Sequence, residues 1–161
     1  MEGRVRVATD IAARGVHVDE PEGEWLDLDP LVRVSLTSED PDHPIEQALL
    51  PGMGSGWRAA GPGTQTIRLT FEPPQALHRI WLEFLEPDAE RAQEYVLRWS
   101  VDGRTFTEIV RQQWNFSPQG AIRETEDHRV DLHDVSLLEL TITPDRSEGV
   151  VPASLSRLRL A

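Results

Sequence analysis

Tyr95-Val96-Leu97-Arg98-Trp99-Ser100-Val101-Asp102-Gly103-Arg104-Thr105-Phe106 is the stretch that decides the fold. From Tyr95 to Val101, the large apolar residues Tyr95, Leu97, Trp99 and Val101 fall on alternate positions, a period of two that marks a strand. Asp102-Gly103 then supplies the residue pair of a tight hairpin turn, where glycine accepts the positive φ that other residues resist. Phe106 to Val110 starts the returning strand. Outward from this hairpin the same pattern recurs at Ile67–Phe71, Ile80–Phe84, His128–Leu132, Leu138–Ile142 and Leu155–Leu160. Clusters of proline and glycine punctuate it, among them Pro51-Gly52-Met53-Gly54-Ser55-Gly56, Gly61-Pro62-Gly63, Pro73-Pro74 and Ser117-Pro118-Gln119-Gly120. Only Ile45–Leu50, following Pro44, is predicted to be helical, for a turn or two. Seven or eight short strands with almost no helix predict an all-β, eight-stranded antiparallel sandwich of the jelly-roll kind. The first 30 residues fit this pattern least well. Val5–Ala8 and Trp25–Leu28 are expected to form extra strands or an extended arm over residues 1–30, with the sandwich spanning 31–161.

Composition narrows the chemistry. The chain has 161 residues, a net charge of −12 and no cysteine, and all 16 of its basic residues are arginine. Without cysteine there is no disulfide staple, no thiolate nucleophile and no Cys-ligated zinc. Without lysine there is neither a phosphate-binding P-loop nor a Schiff base. A charge of this sign repels a phosphate backbone, so no nucleic-acid partner is expected. Arg4, Arg6, Asp10 and Arg14 break up the N-terminal twenty residues, and no apolar run approaches the length of a membrane span. A cytoplasmic location with no membrane partner is the expectation.

Several local groupings merit attention. Trp114-Asn115-Phe116 stands at a strand end before the Ser117-Pro118 turn. Sugars are held by aromatic faces together with amide and arginine donors, so this trio is a candidate ligand-binding element. The competing reading has Trp114 or Phe116 plugging the base of the sandwich. Trp57-Arg58 follows the glycine-rich loop, with Trp57 also readable as packing and Arg58 free to face a ligand. His43, between Asp42 and Pro44, is a further candidate for a hydroxyl contact. His128 and His133, with Asp127, Asp131 and Asp134, fall on opposite strand faces and form no compact ligand set, so no metal and no cofactor is expected. Gly54-Ser55-Gly56 lacks the spacing of a nucleophile elbow, and no catalytic residue is assigned.

The order of these pieces resembles the discoidin-like domains, the coagulation factor five/eight type C family. Ile45–Leu49 matches the helical turn, Gly56-Trp57-Arg58-Ala59-Ala60 the loop ending in tryptophan, and Tyr95–Phe106 the hairpin. Ala153-Ser154-Leu155-Ser156-Arg157-Leu158 matches the closing strand, and the likeness covers residues 32 to 161. The resemblance implies a galactose-binding-like jelly roll whose loops at one end bind sugars, lipids, proteins or nicked DNA. Family members often hold calcium through an Asp-Gly-Asp loop and a late glutamate. Here Leu50–Ser55 and Arg157 occupy those places, and Leu85-Glu86-Pro87-Asp88 stands where galactose binders carry an arginine. Ala8–Gly15 is also similar, over eight residues, to a motif of DEAD-box helicases, but nothing else in the chain follows that family. The expected function is a non-enzymatic binding module for carbohydrate or glycoconjugate. The alternative is a cytoplasmic protein-interaction or assembly module without a sugar ligand.

Overall fold

The computed structural model of the chain describes residues 20–144 and 151–161. The Val5–Ala8 and Ala8–Gly15 stretches lie outside these residues. In order come α1 (Leu28–Leu31), β1 (Val32–Leu36), α2 (Glu46–Leu49), β2 (Trp57–Arg58), β3 (Gln65–Leu85), β4 (Arg91–Ser100), β5 (Thr107–Phe116), β6 (Arg123–Pro144), β7 (Ser154–Leu155) and β8 (Arg157–Leu160). Among the described residues this gives eight strands, all paired antiparallel.

Two long strands build both layers of the sandwich. The start of β3 pairs with β1 on one side and with the end of β6 on the other, as in Ile67 opposite Leu36 and Leu140. The end of β3 pairs with the start of β6 and with β8, as in Leu82 opposite Glu126 and Leu158. The end of β6 also pairs with β4, and β5 forms the edge beyond it. The register shifts repeatedly between Thr70 and Arg79, around Pro73-Pro74, where β3 leaves one layer for the other. Proline cannot donate to a ladder and is tolerated at such irregularities. Ile67–Phe71 and Ile80–Phe84, separate strands by the sequence pattern, are therefore two ends of one strand. His128–Leu132 and Leu138–Ile142 are likewise joined in β6, with Asp134 at φ 57 between them.

Alternation puts Ile67, Leu69, Phe71, Ile80, Leu82, Phe84, Tyr95, Leu97, Leu138, Leu140 and Ile142 into one buried core. Each such side chain contributes about 1.5–3 kcal/mol of burial. Trp81 and Glu83 alternate with the core residues of β3 and so face the other way, yet both are buried. Arg157 stacks on Trp81 with its guanidinium carbon 4.9 Å from the ring centre, and its Nε bonds Glu83 at 2.8 Å. Glu20 in turn accepts from Arg157 and Arg159. Arg79 sits 4.7 Å from the ring of Trp25, and Leu26 N–H donates to the Leu160 carbonyl at 2.8 Å. Residues 20–26 thus pack against the arginine-rich face and edge of the second layer, and Leu28 of α1 enters the core. No helix among the described residues is long and apolar enough to cross a membrane.

Candidate functional site

The loop between β3 and β4, residues 86–90, is shaped from below by one carboxylate. Glu86 is buried, and its Oε2 accepts the backbone N–H groups of Asp88 and Ala89 at 3.2 and 3.3 Å. Its Oε1 lies 3.1 Å from Nη2 of Arg91. Arg91 donates onward to the Pro152 carbonyl and to the Ser154 hydroxyl, each at 2.9 Å. Burial pulls the Arg91 guanidinium below its ordinary pKa, against the opposing pull of Glu86. Gln93 completes the tie. Its amide nitrogen donates to the Ser154 carbonyl and its amide oxygen accepts the Ser154 N–H, both at 3.1 Å, in the manner of a neighbouring backbone. A buried charge pair with these hydrogen bonds holds a loop in one geometry.

Two clefts open on either side of this loop. The narrower, of about 220 Å³, is walled by His43, Ser55, Arg58, Asp88 and Ser156, with Trp57 and Leu155 among its apolar lining. Its shape depends on Gly56, which sits at φ +113 against β7. A Cβ there would lie 2.7 Å from the Leu155 carbonyl oxygen. His43 and Arg58 are held side by side by backbone bonds, Arg58 N–H to the His43 carbonyl at 3.1 Å and Asp40 N–H to the Arg58 carbonyl at 2.8 Å. His43 Nδ1 stands 3.6 Å from the Asp40 carboxylate. Neither the Arg58 guanidinium nor the Asp88 carboxylate is hydrogen-bonded or ion-paired to another described residue, so both present unused polar capacity to the same small space. The wider cleft, of about 820 Å³, is lined by Glu90, Arg91, Asn115, Phe116, Ser117 and Val151.

The six residues singled out from sequence therefore divide. His43, Trp57 and Arg58 share the narrow cleft, and Asn115 and Phe116 the wide one, while Trp114 lines neither. The expected stacking platform does not form. Trp57 and Phe116 are 1% and 2% exposed and belong to the core. The Trp57 indole N–H is spent on the Ser38 carbonyl. Trp114 shares the inward face of β5 with Phe116, because residues two apart on a strand point the same way. It packs half-buried against the core, and Asn115 between them faces out. Glu86, Asp88, Arg91, Gln93 and Ser154 were not found from sequence. Two signals bear on them: the resemblance sets Leu85-Glu86-Pro87-Asp88 where galactose binders carry an arginine, and the opposite charges of Glu86 and Arg91 flank that proline-containing loop. Among the described residues no group of three or more His, Asp or Glu is placed to hold a metal ion. His128 instead contacts Tyr95 Oη at 3.2 Å and Glu126 at 3.0 Å.

This architecture is that of the discoidin-like, galactose-binding-like jelly rolls. No protein-family model matches the sequence, and no curated protein matches it. Solved structures do. One is a family 32 carbohydrate-binding module from Clostridium perfringens, CpGH89CBM32-5, in complex with GalNAc-β-1,3-galactose. It is 18% identical over 80% of this chain and 94% of that one, with a TM-score of 0.58. A chitosan-binding module from a chitosanase/glucanase of Paenibacillus sp. IK-5 is 17% identical over 84% of this chain and 96% of that one, TM-score 0.57. The C-terminal domain of a chitobiase from Bacteroides fragilis is 14% identical over 86% and 97%, TM-score 0.60. At these identities the likeness establishes the fold.

Proposed function

We propose that the chain is a non-catalytic carbohydrate-binding module that takes a sugar in the narrow cleft. The observation that carries this reading is the pair of Arg58 and Asp88, both without a protein partner among the described residues and both facing one small space beside His43. A pyranose presents hydroxyls that donate and accept at once. Arginine offers only donors and an ionised aspartate only acceptors, so the two together match a vicinal pair of hydroxyls. Hydrogen bonds to charged groups are the stronger ones, at roughly 1.5–3 kcal/mol each. The rigid floor supplied by Glu86, Arg91 and Gln93 limits the ordering cost on binding. The carbohydrate-binding modules among the structural neighbours support the same reading.

A glycan array followed by titration calorimetry tests it. The wild-type chain is expected to bind at least one glycan class, and Arg58→Ala and Asp88→Ala each to lose tenfold or more in affinity with unchanged circular dichroism. No binding to any glycan at millimolar concentration, or wild-type affinity in both variants, overturns it.

A further inference from the structure

We infer that the wide cleft is a second subsite, so that the module binds an oligosaccharide of three or more uncharged or amino-substituted sugars laid across both clefts. This rests on the narrow cleft being the sugar site.

The first argument is contiguity. Asp88 belongs to the wall of the narrow cleft, while Ala89 and Glu90 belong to the wall of the wide one. One peptide step, about 3.8 Å between Cα atoms, separates the two walls. That is less than the length of a single pyranose ring, so the two linings adjoin along this loop.

Size is the second argument. Small-molecule sites run to roughly 300–1,000 Å³. At about 220 Å³ the narrow cleft falls below that range and suits one ring. At about 820 Å³ the wide cleft lies well inside it and has room for further units.

Chemistry gives the third. Asn115 is exposed on the wide cleft and its amide both donates and accepts, as sugar hydroxyls require. Its side chain and that of Glu90 are bonded to no other described residue, and Ser117 lines the same cleft. The charge of Arg91 is already matched by buried Glu86. The wide cleft therefore offers hydrogen bonds under a negative bias, from Glu90 and from a chain of net charge −12. Such a field disfavours uronates and tolerates neutral or protonated amino sugars. Because the dividing loop is fixed by the Glu86–Arg91 pair, the spacing of the two subsites is set before the ligand arrives.

Calorimetry with galactose, N-acetylglucosamine, glucosamine and galacturonate oligomers of one to five units tests this. In the best-binding series, affinity is expected to rise at least tenfold from one to three units and then level off. Asn115→Ala is expected to flatten that rise, so that its trimer binds no better than its monosaccharide. Galacturonate trimers are expected to bind most weakly, and to recover in part as salt screens the cleft. A monosaccharide bound as tightly as the trimer, or an Asn115→Ala ladder identical to wild type, overturns the second subsite and leaves the narrow cleft standing. An Arg58→Ala variant that keeps the whole ladder overturns the underlying site, and so does failure of every oligomer to bind.

Discussion

Glu86 and Arg91 face each other at 3.1 Å with side chains only 3% and 1% exposed, directly beneath the loop that divides the two clefts. Removing one member of such a pair strands the other in a place water does not reach, at a cost of about 3–5 kcal/mol. Glu86→Gln and Arg91→Met are each expected to lower the free energy of unfolding in urea by an amount of that order. The double variant Glu86→Leu/Arg91→Met should be more stable than either single change. It should still bind glycans poorly, because Pro152 and Ser154 lose their donor. A double variant less stable than both singles would count against the pair being buried and coupled.

Two glycines of the same loop provide an internally controlled comparison. Gly56 and Gly52 both have positive φ, at +113 and +73, but a Cβ at Gly52 would meet nothing within 4 Å. Gly52→Ala is expected to cost only backbone strain, about 1 kcal/mol. Gly56→Ala adds a collision with the Leu155 carbonyl and should destabilise by more, while distorting the narrow cleft. Equal thermal midpoints for the two variants would contradict the packing of this loop on β7.

Asp102 gives a pH dependence on the acid side. Backbone N–H groups of Thr105 and Arg104, with the Ser100 hydroxyl, lower its pKa from 3.8 to about 2. A depressed carboxylate stabilises the fold fully above its unfolded value and loses that contribution as pH falls through the folded one. The hairpin should therefore loosen as pH drops from about 4 to about 2, with the Asp102 carboxyl resonance titrating near the lower limit. Asp102→Asn should remove this part of the acid profile.

On the alkaline side the single tyrosine reports by itself. Tyr95 is raised well above its ordinary value of 10.0, first by burial and then by the charge of Glu126. A raised pKa contributes stability below the unfolded value, and that stability is lost as pH climbs past it. Phenolate absorbance at alkaline pH is therefore expected to appear only together with the unfolding transition seen by circular dichroism. Ionisation near pH 10 in a still-folded chain would show that Tyr95 is accessible.

Much of the fold was legible because period-two patterning survives in most strands. Asp102-Gly103 marks its hairpin, with Gly103 at φ +77. Ile67, Leu69 and Phe71 point inward as their spacing requires. The pattern misled where a strand is buried on both faces or spans two layers. Alternation along β3 sets Trp81 and Glu83 opposite the core residues, and nothing local reveals that Arg157 and its neighbours cover them there. Pro73-Pro74 looked like a break, and it marks instead the bend inside β3. The site was half legible. His43 in its loop and Arg58 beside the glycine-rich loop are polar residues whose neighbours in sequence mark them out. The Gln93–Ser154 tie joins residues 61 positions apart, which composition and spacing do not encode. The inward turn of Trp114 and Phe116 was available from strand alternation alone, since Asn115 separates them.

The attachment of Leu26 to Leu160 bears on how these molecules behave at high concentration. A four-residue strand at a sheet margin ordinarily offers its unpaired amides as a template for a neighbour. Here the Leu160 carbonyl is already taken by Leu26, and Glu20 grips the two arginines of that strand. Strand-to-strand aggregation through this margin requires peeling residues 20–26 away first.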